Sequence, residues 1–302
     1  MITITQQLPK SRINFENQIH ILDNGVVQIP YKHFFFGGGE QHIKFDPADV
    51  PTDVPLTILV RYAQDTDIIK LTLIVDALRN LGCKNLHLKI PYFPAARQDR
   101  VCVKGEPLSV KVYADLINAM KFDSVTVFDP HSDVTPALIN NVKVVDNTKF
   151  VYDVISSQNY MDSMKRSVLV SPDAGSNKKV ANVAKYLFKR VLNLPVIRAD
   201  KLRNVATGEI IETTVYADDL SGKETYIIDD ICSKGGTFCA LSKVLKEKGA
   251  SKVYLVVSHY EGTANLRILK ESGIDRVFTT DSKPFVDRDA SFLSIHNIEK
   301  YI

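Results

Sequence analysis

The sequence predicts an α/β fold made of two tandem units with mainly parallel sheets. Three observations predict it: short β-rich runs alternate with helical patterns from about Leu56 onward, the alternation starts again at Ser167, and each half has a strand that ends in an acidic turn, SVTVFDPHSD and TYIIDDICSK. Open α/β sheets bind ligands at the carboxyl ends of their strands. These two turns are therefore the first places to look for a site.

The first half alternates strand and helix in chain order. Its runs are strand TILVRY, helix IIKLTLIVDALRNLG, strand NLHLKIPY, a helix near PLSVKVYADLINAM and strand SVTVFD. Apolar spacing at Leu71, Val75 and Leu78 indicates the first helix, Gly82 lies just past its end, and Pro107 stands near the start of the second helix. The first fifty residues differ, because short alternating runs flank the segment HFFFGGGE; they predict a β-hairpin region with an exposed loop.

The second half repeats the alternation. Strand SVLVS is followed by a helix over 177–192, a polar loop over 200–212, strand TYIIDD, helix TFCALSKVLKEKG, strand KVYLVVS, a shorter helix and strand RVFTT. The segment NTKFVYDVISSQNYMD interrupts the pattern, so we place a boundary there and predict an N-terminal domain over 1–150 and a C-terminal domain over 151–302. The similar strand ends of the two halves hint at a duplicated fold.

Composition excludes several classes of partner. The 302 residues are 45% hydrophobic and carry a formal net charge of +3 without a basic tail, so no nucleic-acid or membrane partner is expected. The start of the chain lacks the pattern of a signal peptide and no apolar run could span a bilayer, which makes the cytoplasm the expected location. Four separate cysteines, without a CxxC pair, are expected to be reduced packing residues.

The segment IIDDICSKGGT has the order of parts that a phosphate site needs. An apolar strand leads to Asp229 and Asp230, a glycine pair follows, and Thr237 begins a helix. Glycines let the backbone approach an anion, and the free N–H groups at a helix start favour phosphate. Adjacent carboxylates can bind vicinal hydroxyls directly or through a metal, so the segment predicts a sugar-phosphate site.

Several motifs together resemble the ribose-phosphate pyrophosphokinase family, also called phosphoribosyl diphosphate synthetases. The resemblance covers residues 36–284 and is carried by VDALRNLG, IPYFPAARQDR, PLSVK, FDPHSD, VSPDAGSNKK, ADKLR, IDDICSKGGT and ESGIDRVFTTD. PYFxxARQDR is the most discriminating, since ordinary phosphoribosyltransferases lack it. The resemblance implies two tandem phosphoribosyltransferase-like, Rossmann-like domains. It also implies Mg2+ as cofactor, ATP as co-substrate, a ribose phosphate as acceptor, and a dimer-based homo-oligomer, possibly a hexamer.

The resemblance assigns roles residue by residue. The ATP site would comprise Phe36, Glu40, Arg97, Gln98, Asp99, Arg100 and His131. The ribose phosphate would be bound by Asp173, Asp229, Asp230, Ser233, Lys234, Gly235, Gly236 and Thr237. His131 and Asp173 would hold the metal, and Lys201, Arg203 and His131 would be catalytic. Phe36 and Glu40 would act on the site of a neighbouring subunit. Fork-shaped arginine donors and cations on a mobile loop suit a polyphosphate on physical grounds too.

This chain departs from the family at four positions. Gly38 replaces a polar residue of the adenine loop, and Pro130 fills the usually apolar position before His131. In the phosphate loop, Ser233 replaces an aspartate and Lys234 a threonine, which makes the loop more positive by about two charges.

That change favours a more negative acceptor and leaves three alternatives to ribose 5-phosphate pyrophosphorylation. The same reaction on ADP-ribose would belong to NAD metabolism. A catalytically inactive, nucleotide-binding regulatory homologue is disfavoured because Lys201, Arg203 and His131 are present. A plain phosphoribosyltransferase is disfavoured by the RQDR segment.

Overall fold

The computed structural model describes residues 19–23, 27–158, 166–190, 192–203, 210–286 and 289–302. In the first half, its elements are β1 (Ile19–Asp23), β2 (Val27–Gln28), β3 (Lys32–Phe35), β4 (Gln41–Lys44), β5 (Leu56–Val60), α1 (Thr66–Asn80), β6 (Leu86–Lys89), α2 (Ser109–Ala119), β7 (Ser124–Phe128), α3 (Val134–Leu138) and β8 (Val142–Val145). A short 3-10 helix covers Pro47–Asp49. The beginning of the chain, on which the prediction about a signal peptide rests, lies outside the described residues.

The first sheet has the strand order β2-β1-β5-β6-β7-β8. Strands β5 to β8 pair in parallel, whereas β1 pairs antiparallel with both β2 and β5. Helix α1 buries Leu71, Val75 and Leu78 against this sheet, and Gly82, with φ of +98°, terminates the turn that follows it. The predicted hairpin is confirmed, because β3 and β4 form a separate antiparallel pair.

In the second half, the elements are α4 (Thr148–Ser157), β9 (Ser167–Ser171), α5 (Asn177–Phe188), β10 (Val196–Arg203), β11 (Ile210–Val215), β12 (Glu224–Cys232), α6 (Gly236–Glu247), β13 (Lys252–Tyr260), α7 (Leu266–Glu271), β14 (Arg276–Thr280) and β15 (Leu293–His296). A 3-10 helix, Ile298–Lys300, follows. The sheet order is β11-β10-β9-β12-β13-β14-β15, and every pairing except β10 with β11 is parallel. The predicted fold of two α/β units with mainly parallel sheets is confirmed.

The polar loop predicted over 200–212 was wrong in its described part. Residues 196–203 form β10, and 210–215 form β11, paired antiparallel with Lys201 opposite Thr213. Backbone hydrogen bonds hold this hairpin at the sheet edge, so its polar side chains need no apolar periodicity to be ordered. The sequence-based prediction missed this hairpin because it used an apolar pattern as the signal for a strand.

Smaller differences concern element ends and one cysteine. Helix α5 ends at Phe188 rather than at residue 192, and α4 occupies part of the segment that breaks the sequence pattern. The predicted domain boundary at 150/151 lies inside α4 and stays a prediction. Cys83 and Cys232 are buried, as expected of packing residues, and Cys239 is half-buried. Cys102 is exposed, so for this residue the packing prediction was wrong.

Contacts at the strand ends join the two halves. Arg61, just after β5, donates to the carboxylate of Asp281, just after β14, at 3.2 Å. Lys283 donates to the backbone carbonyl oxygens of Tyr62 and Ala63 at 3.2 and 3.1 Å. Both sheets therefore present the carboxyl ends of their strands to a shared region, where the acidic turns also lie.

Candidate active site

A cleft at the strand ends collects side chains from both halves. Its walls come from the turn after β7, the turn between β9 and α5, strand β12 with the loop into α6, and the segment around Arg97. Most of the predicted site residues line it: Arg97, Asp99, Arg100, His131, Asp173, Lys201, Asp229, Asp230, Ser233, Lys234, Gly235, Gly236 and Thr237. Chain topology thus brings together motifs separated by more than a hundred residues.

Asp229 and Asp230 lie near the end of β12 and differ in their surroundings. Asp229 accepts hydrogen bonds from the Ser176 hydroxyl at 2.9 Å and from the backbone N–H of Asp230 at 3.0 Å. Burial, together with the neighbouring charge of Asp230, raises the pKa of Asp229 well above its ordinary value. Burial also acts to raise the pKa of Asp230, but Lys179 and His131 outweigh it and hold that pKa low.

His131 connects the first half to this pair. Its Nδ1 lies 2.6 Å from Asp230 Oδ2, a charge-assisted contact between the turn after β7 and strand β12. The hydrogen bond to Asp230 raises the pKa of His131, although partial burial opposes the shift. The imidazole is partly exposed to the cleft, so its orientation is fixed from one side while the other side faces the open space.

Asp173 follows β9 and is paired with Lys201 of β10. Its Oδ1 accepts from the backbone N–H of Ser176 at 3.0 Å, and its Oδ2 forms an ion pair with Lys201. Burial acts to raise the pKa of Asp173, yet the Lys201 ammonium brings it below the ordinary value. The Ser176 hydroxyl lies within hydrogen-bonding distance of both Asp173 and Asp229, at 3.2 and 2.9 Å. A cation already sits beside this oxygen-rich group.

The loop between β12 and α6 has the features of an anion cradle. Gly235 has φ of +79°, and a Cβ added there would lie 2.7 Å from the Leu269 side chain, so only glycine fits. Helix α6 begins at Gly236, one residue before the predicted start, and directs its first N–H groups toward the loop. Ser233 Oγ is 3.4 Å from the Thr263 hydroxyl. Lys234 is exposed at the cleft wall.

The RQDR segment forms another wall of the cleft. Arg97 is exposed there, and Arg100 is also exposed but donates through Nε to Asp99 at 3.1 Å. The Asp99 side chain is only 7% exposed; burial acts to raise its pKa, but hydrogen bonds from Ser132 and Arg100 hold it below the ordinary value. Asp99 therefore ties the segment to the turn that carries His131. Gln98 is exposed and is not among the residues that line the cleft.

The structure does not bring two predicted ATP contacts to the cleft of the same chain. Phe36 lies at the tip of the β3–β4 hairpin, 52% exposed, with its ring 5.4 Å from Phe34 and 5.3 Å from His42. The carbonyl of Glu40 accepts from the Phe36 N–H at 2.8 Å. Their predicted action on a neighbouring subunit stays a prediction. Arg203 ends β10, and its side chain lies outside the described part of the chain.

Interpretation of the sequence missed a group of largely buried polar residues at the wall of the cleft. Asp129, with φ of +42°, receives the Lys179 ammonium at 2.7 Å and the Asn147 amide at 2.9 Å. Ser258 also donates to Asp129. The available signal was Asp129 itself, since it stands in the acidic turn FDPHSD. Lys179 gave no signal, because a lysine in the first turns of a helix is ordinarily solvated.

The described part of the chain has neither a preformed metal cage nor a membrane-spanning helix. Within the described ranges, no cluster of three or more His, Cys, Asp or Glu side chains could hold a metal ion. Magnesium often binds through one or two protein ligands plus substrate phosphates. None of the helices in the described part of the chain is both long enough and apolar enough to cross a membrane.

Comparison with known proteins gives consistent similarities. Residues 36–120 match the family model for the N-terminal domain of ribose phosphate pyrophosphokinase, and residues 140–286 match the phosphoribosyl transferase domain. The ribose-phosphate pyrophosphokinase of Pyrococcus abyssi is 31% identical over 217 residues, 72% of this chain and 69% of the relative. That of Mycoplasma pneumoniae is 29% identical over 257 residues, 83% of this chain and 76% of the relative.

A solved structure has the same fold. Phosphoribosylpyrophosphate synthetase from Mycobacterium smegmatis superposes with a TM-score of 0.75 at 24% identity, covering 91% of this chain and 88% of the other. At that identity the superposition is evidence for the fold alone. The shared fold agrees with the two phosphoribosyltransferase-type units of this chain.

Proposed function

The chain belongs to the ribose-phosphate pyrophosphokinase family, and on that premise we propose that it transfers the β,γ-diphosphate of ATP to the anomeric hydroxyl of ribose 5-phosphate. The anomeric oxygen attacks the β-phosphorus in line, the bond from that phosphorus to the α-phosphate oxygen breaks, AMP leaves and the hydroxyl proton is released. The product is phosphoribosyl diphosphate. The relatives' names and the arrangement of the cleft support this proposal.

One observation carries the proposal. The cleft combines a glycine-bearing helix start and two strand-end aspartates, suited to a ribose phosphate, with exposed arginines, suited to a polyphosphate. A simple phosphate-binding module would need only the first of these. Two kinds of anion site that line one cleft suit transfer between two phosphorylated substrates.

Catalysis of this reaction rests on positioning and on neutralising oxygen charge, so no covalent protein nucleophile is required. Lys201 exchanges its pairing with Asp173 for the oxygens of the transferred diphosphate as they gain charge. Arg97 binds the polyphosphate, and Asp229 and Asp230 orient the ribose diol. We assign Arg203 to the same task as Lys201 by family resemblance.

The residues fit a magnesium ion that is bound together with substrate. Asp173 already pairs with the ammonium of Lys201 and accepts a hydrogen bond from the Ser176 hydroxyl, so the site attracts a cation. The ring of His131 is partly exposed at the cleft. Asp173 and His131 would hold Mg2+. When bound, the ion would neutralise phosphate oxygens and fix their orientation. Because the protein would supply only these two ligands, the other coordination positions of the ion would be left for water and phosphate oxygens.

A second acceptor, ADP-ribose, is favoured by a specific feature of the cleft. Lys234 is exposed beside the phosphate loop, and the cleft wall continues from there along α6 to Lys243 and Glu247. A ribose that bears a 5′-diphosphate and a nucleoside would place its second phosphate near Lys234 and its remainder along this wall. The reaction itself would be unchanged, giving ADP-ribose pyrophosphate and linking the enzyme to NAD metabolism.

Purified protein incubated with ATP, Mg2+ and each acceptor tests both readings. AMP formation with ribose 5-phosphate, together with phosphoribosyl diphosphate detected by mass spectrometry, is the expected result. If AMP forms with ADP-ribose but not with ribose 5-phosphate, the acceptor is ADP-ribose. Tight ATP binding without AMP formation from either acceptor would contradict the enzyme proposal and favour an inactive regulatory homologue.

The assembly belongs to the same proposal. A hairpin tip that carries Phe36 and Glu40 outside its own cleft suits a homo-oligomer in which the tip reaches the ATP site of a second copy. Light scattering of the purified protein would give its mass. Mixing an Arg97→Ala chain with a Phe36→Ala chain would restore one intact site in a mixed dimer, so recovered activity would support a shared site.

A further inference from the structure

Lys179 stands among three carboxyl groups at the wall of the cleft, those of Asp129, Asp229 and Asp230. Lys179 belongs to the first turn of α5, and its side chain is only 17% exposed. Its Nζ lies 2.7 Å from Asp129 Oδ1, at the end of β7, and 3.8 Å from Asp230 Oδ1, on β12. Asp229 is the third carboxyl group near Lys179. Lys179 thus connects one strand end of each half.

Charge balance makes Lys179 hard to replace. Desolvation alone would lower the pKa of Lys179, but Asp129, Asp230 and Asp229 raise it above its ordinary value, so the ammonium stays charged. Removing one partner of a buried ion pair leaves an uncompensated charge, which is far costlier than losing an exposed pair. Without Lys179, the carboxylates of Asp129 and Asp230 would have to move apart, take up protons or admit water.

The two carboxylates that pair with Lys179, Asp129 and Asp230, differ in the other groups that hold them. Asp129 is anchored by the Asn147 amide at 2.9 Å and by the Ser258 hydroxyl, and Asn147 and Ser258 are themselves 3.2 Å apart. Within the described part of the chain, the Asp230 carboxylate is paired with Lys179 and His131 instead: its Oδ1 lies 3.8 Å from Lys179 Nζ and its Oδ2 lies 2.6 Å from His131 Nδ1. Lys179 therefore holds Asp230 in place relative to the anchored Asp129, and Asp230 in turn holds His131.

We infer that Lys179 is a positioning residue for the diphosphoryl transfer, because it holds Asp230 in the orientation that fixes the imidazole of His131 at the cleft. The inference rests on the proposed function for its effect on turnover. Lys179 touches no reacting atom; it acts through Asp230. A structural role alone would affect stability, whereas a positioning role affects the turnover of protein that is fully folded.

Three single variants separate these roles. We expect Lys179→Met, which keeps the aliphatic length and removes the charge, to lower kcat for AMP release about 100-fold, with a smaller change in KM for ATP. Lys179→Arg keeps a cation within reach of both carboxylates and should recover most of that loss. Lys185→Met, an exposed lysine of the same helix, is the matched control and should behave like the unmodified protein.

A double variant distinguishes positioning from charge balance. Asp129→Asn combined with Lys179→Met removes one negative and one positive charge, so the midpoint of thermal unfolding should recover relative to Lys179→Met. Turnover should stay low, because Asp230 still lacks its cation. Full recovery of turnover along with stability would overturn the inference, as would a Lys179→Met protein that is folded and turns over at the unmodified rate.

A measurement on His131 keeps this inference separate from the proposed reaction. The proton between His131 and Asp230 should give a downfield NMR signal, assigned by its loss in His131→Gln. We expect the signal to disappear or broaden in Lys179→Met and to persist in Lys185→Met. An unchanged signal in Lys179→Met overturns the inference. Absence of AMP formation by the unmodified protein would instead overturn the proposed function, and the NMR result would still decide the role of Lys179.

Discussion

The two walls of the cleft hold their charged side chains in opposite ways. On the wall built by β9 and β12, Asp173, Asp229 and Asp230 are each tied to a serine, lysine or histidine before any ligand binds. On the wall formed by the RQDR segment, Arg97 is exposed and forms no ion pair with any other residue that the structure describes. Arg100 pairs with Asp99, and its side chain is 75% exposed.

The physical reason is burial. A carboxylate taken out of water must find partners inside the protein, whereas an exposed guanidinium is stable in water without any. Under the proposed function, the wall built by β9 and β12 binds the acceptor and the wall formed by the RQDR segment binds ATP, and we call them the acceptor wall and the ATP wall. The side chains of the acceptor wall are then paired in advance, whereas those of the ATP wall gain their partners from the ligand. This difference leads us to expect that substitutions on the acceptor wall affect turnover and that substitutions on the ATP wall affect binding.

The largest expected effect is that of Lys201→Ala. Removing a charge stabiliser from the acceptor wall should lower turnover on the order of 100-fold or more, with a modest loss of substrate binding. Steady-state kinetics of AMP release would measure it. Leu202→Ala, an exposed neighbour on the same strand, is the control. Near-normal turnover of Lys201→Ala would contradict the assignment of Lys201.

Arg97→Ala should mainly weaken ATP binding. We expect KM for ATP to rise about tenfold, corresponding to the loss of one charged hydrogen bond, with a smaller change in kcat. The thermal midpoint should not move, because Arg97 is exposed. Lys104→Ala, in the same loop, controls for a general loss of positive charge. A large fall in kcat with unchanged KM would abolish the distinction between the walls.

Lys234→Thr tests how the acceptor wall recognises the 5′ end of its substrate. If ADP-ribose is accepted, its KM should rise about fivefold on loss of one exposed charged contact, while the KM for ribose 5-phosphate stays the same. Parallel kinetics with both acceptors provide the measurement. Equal changes for both acceptors would show that Lys234 contacts the phosphate they share.

The smallest effect on activity is expected from Asp275→Asn, a paired carboxylate of the same half that lies outside the cleft. Asp275 accepts from Lys246 at 2.7 Å, Lys252 at 3.0 Å and the Val253 N–H at 2.8 Å. The substitution should leave turnover unchanged and lower the free energy of unfolding by about 1–3 kcal/mol at neutral pH. Asp115→Asn, in an exposed pair with Lys111, should change it by less than about 1 kcal/mol.

The same variant predicts a pH dependence. Burial acts to raise the pKa of Asp275, but its hydrogen bonds to Lys246, Val253 and Lys252 bring it below the ordinary value of 3.8. A carboxyl whose pKa is lower in the folded state stabilises fully above its unfolded value and loses that contribution as the pH falls. The stability difference between unmodified protein and variant should therefore be constant near neutrality and shrink below pH 3.8. Denaturant titrations across this range would measure the difference, and a value that stays the same below pH 3.8 would show that the ionisation of Asp275 contributes nothing to stability.

Prediction from sequence succeeded where local pattern and local structure coincide. Apolar spacing located α1, and the glycine pair located the start of α6 to within one residue. It failed at β10 and β11, because an edge hairpin is held by backbone pairing that leaves no apolar pattern. It also missed Lys179, because nothing in the local sequence of a lysine near a helix start predicts that its side chain is buried beside two aspartates.

Periodicity, glycine positions and short motifs are enough to predict the fold class, the family and the residue types available for chemistry, because all of these are local properties of the chain. Which of those residues contact one another depends on how the chain packs. It paired His131 with Asp230 and Lys201 with Asp173, placed Lys179 between the halves, and kept Phe36 away from its own cleft. These contacts join strand ends distant in sequence, and their strength depends on burial, which only the packed chain provides.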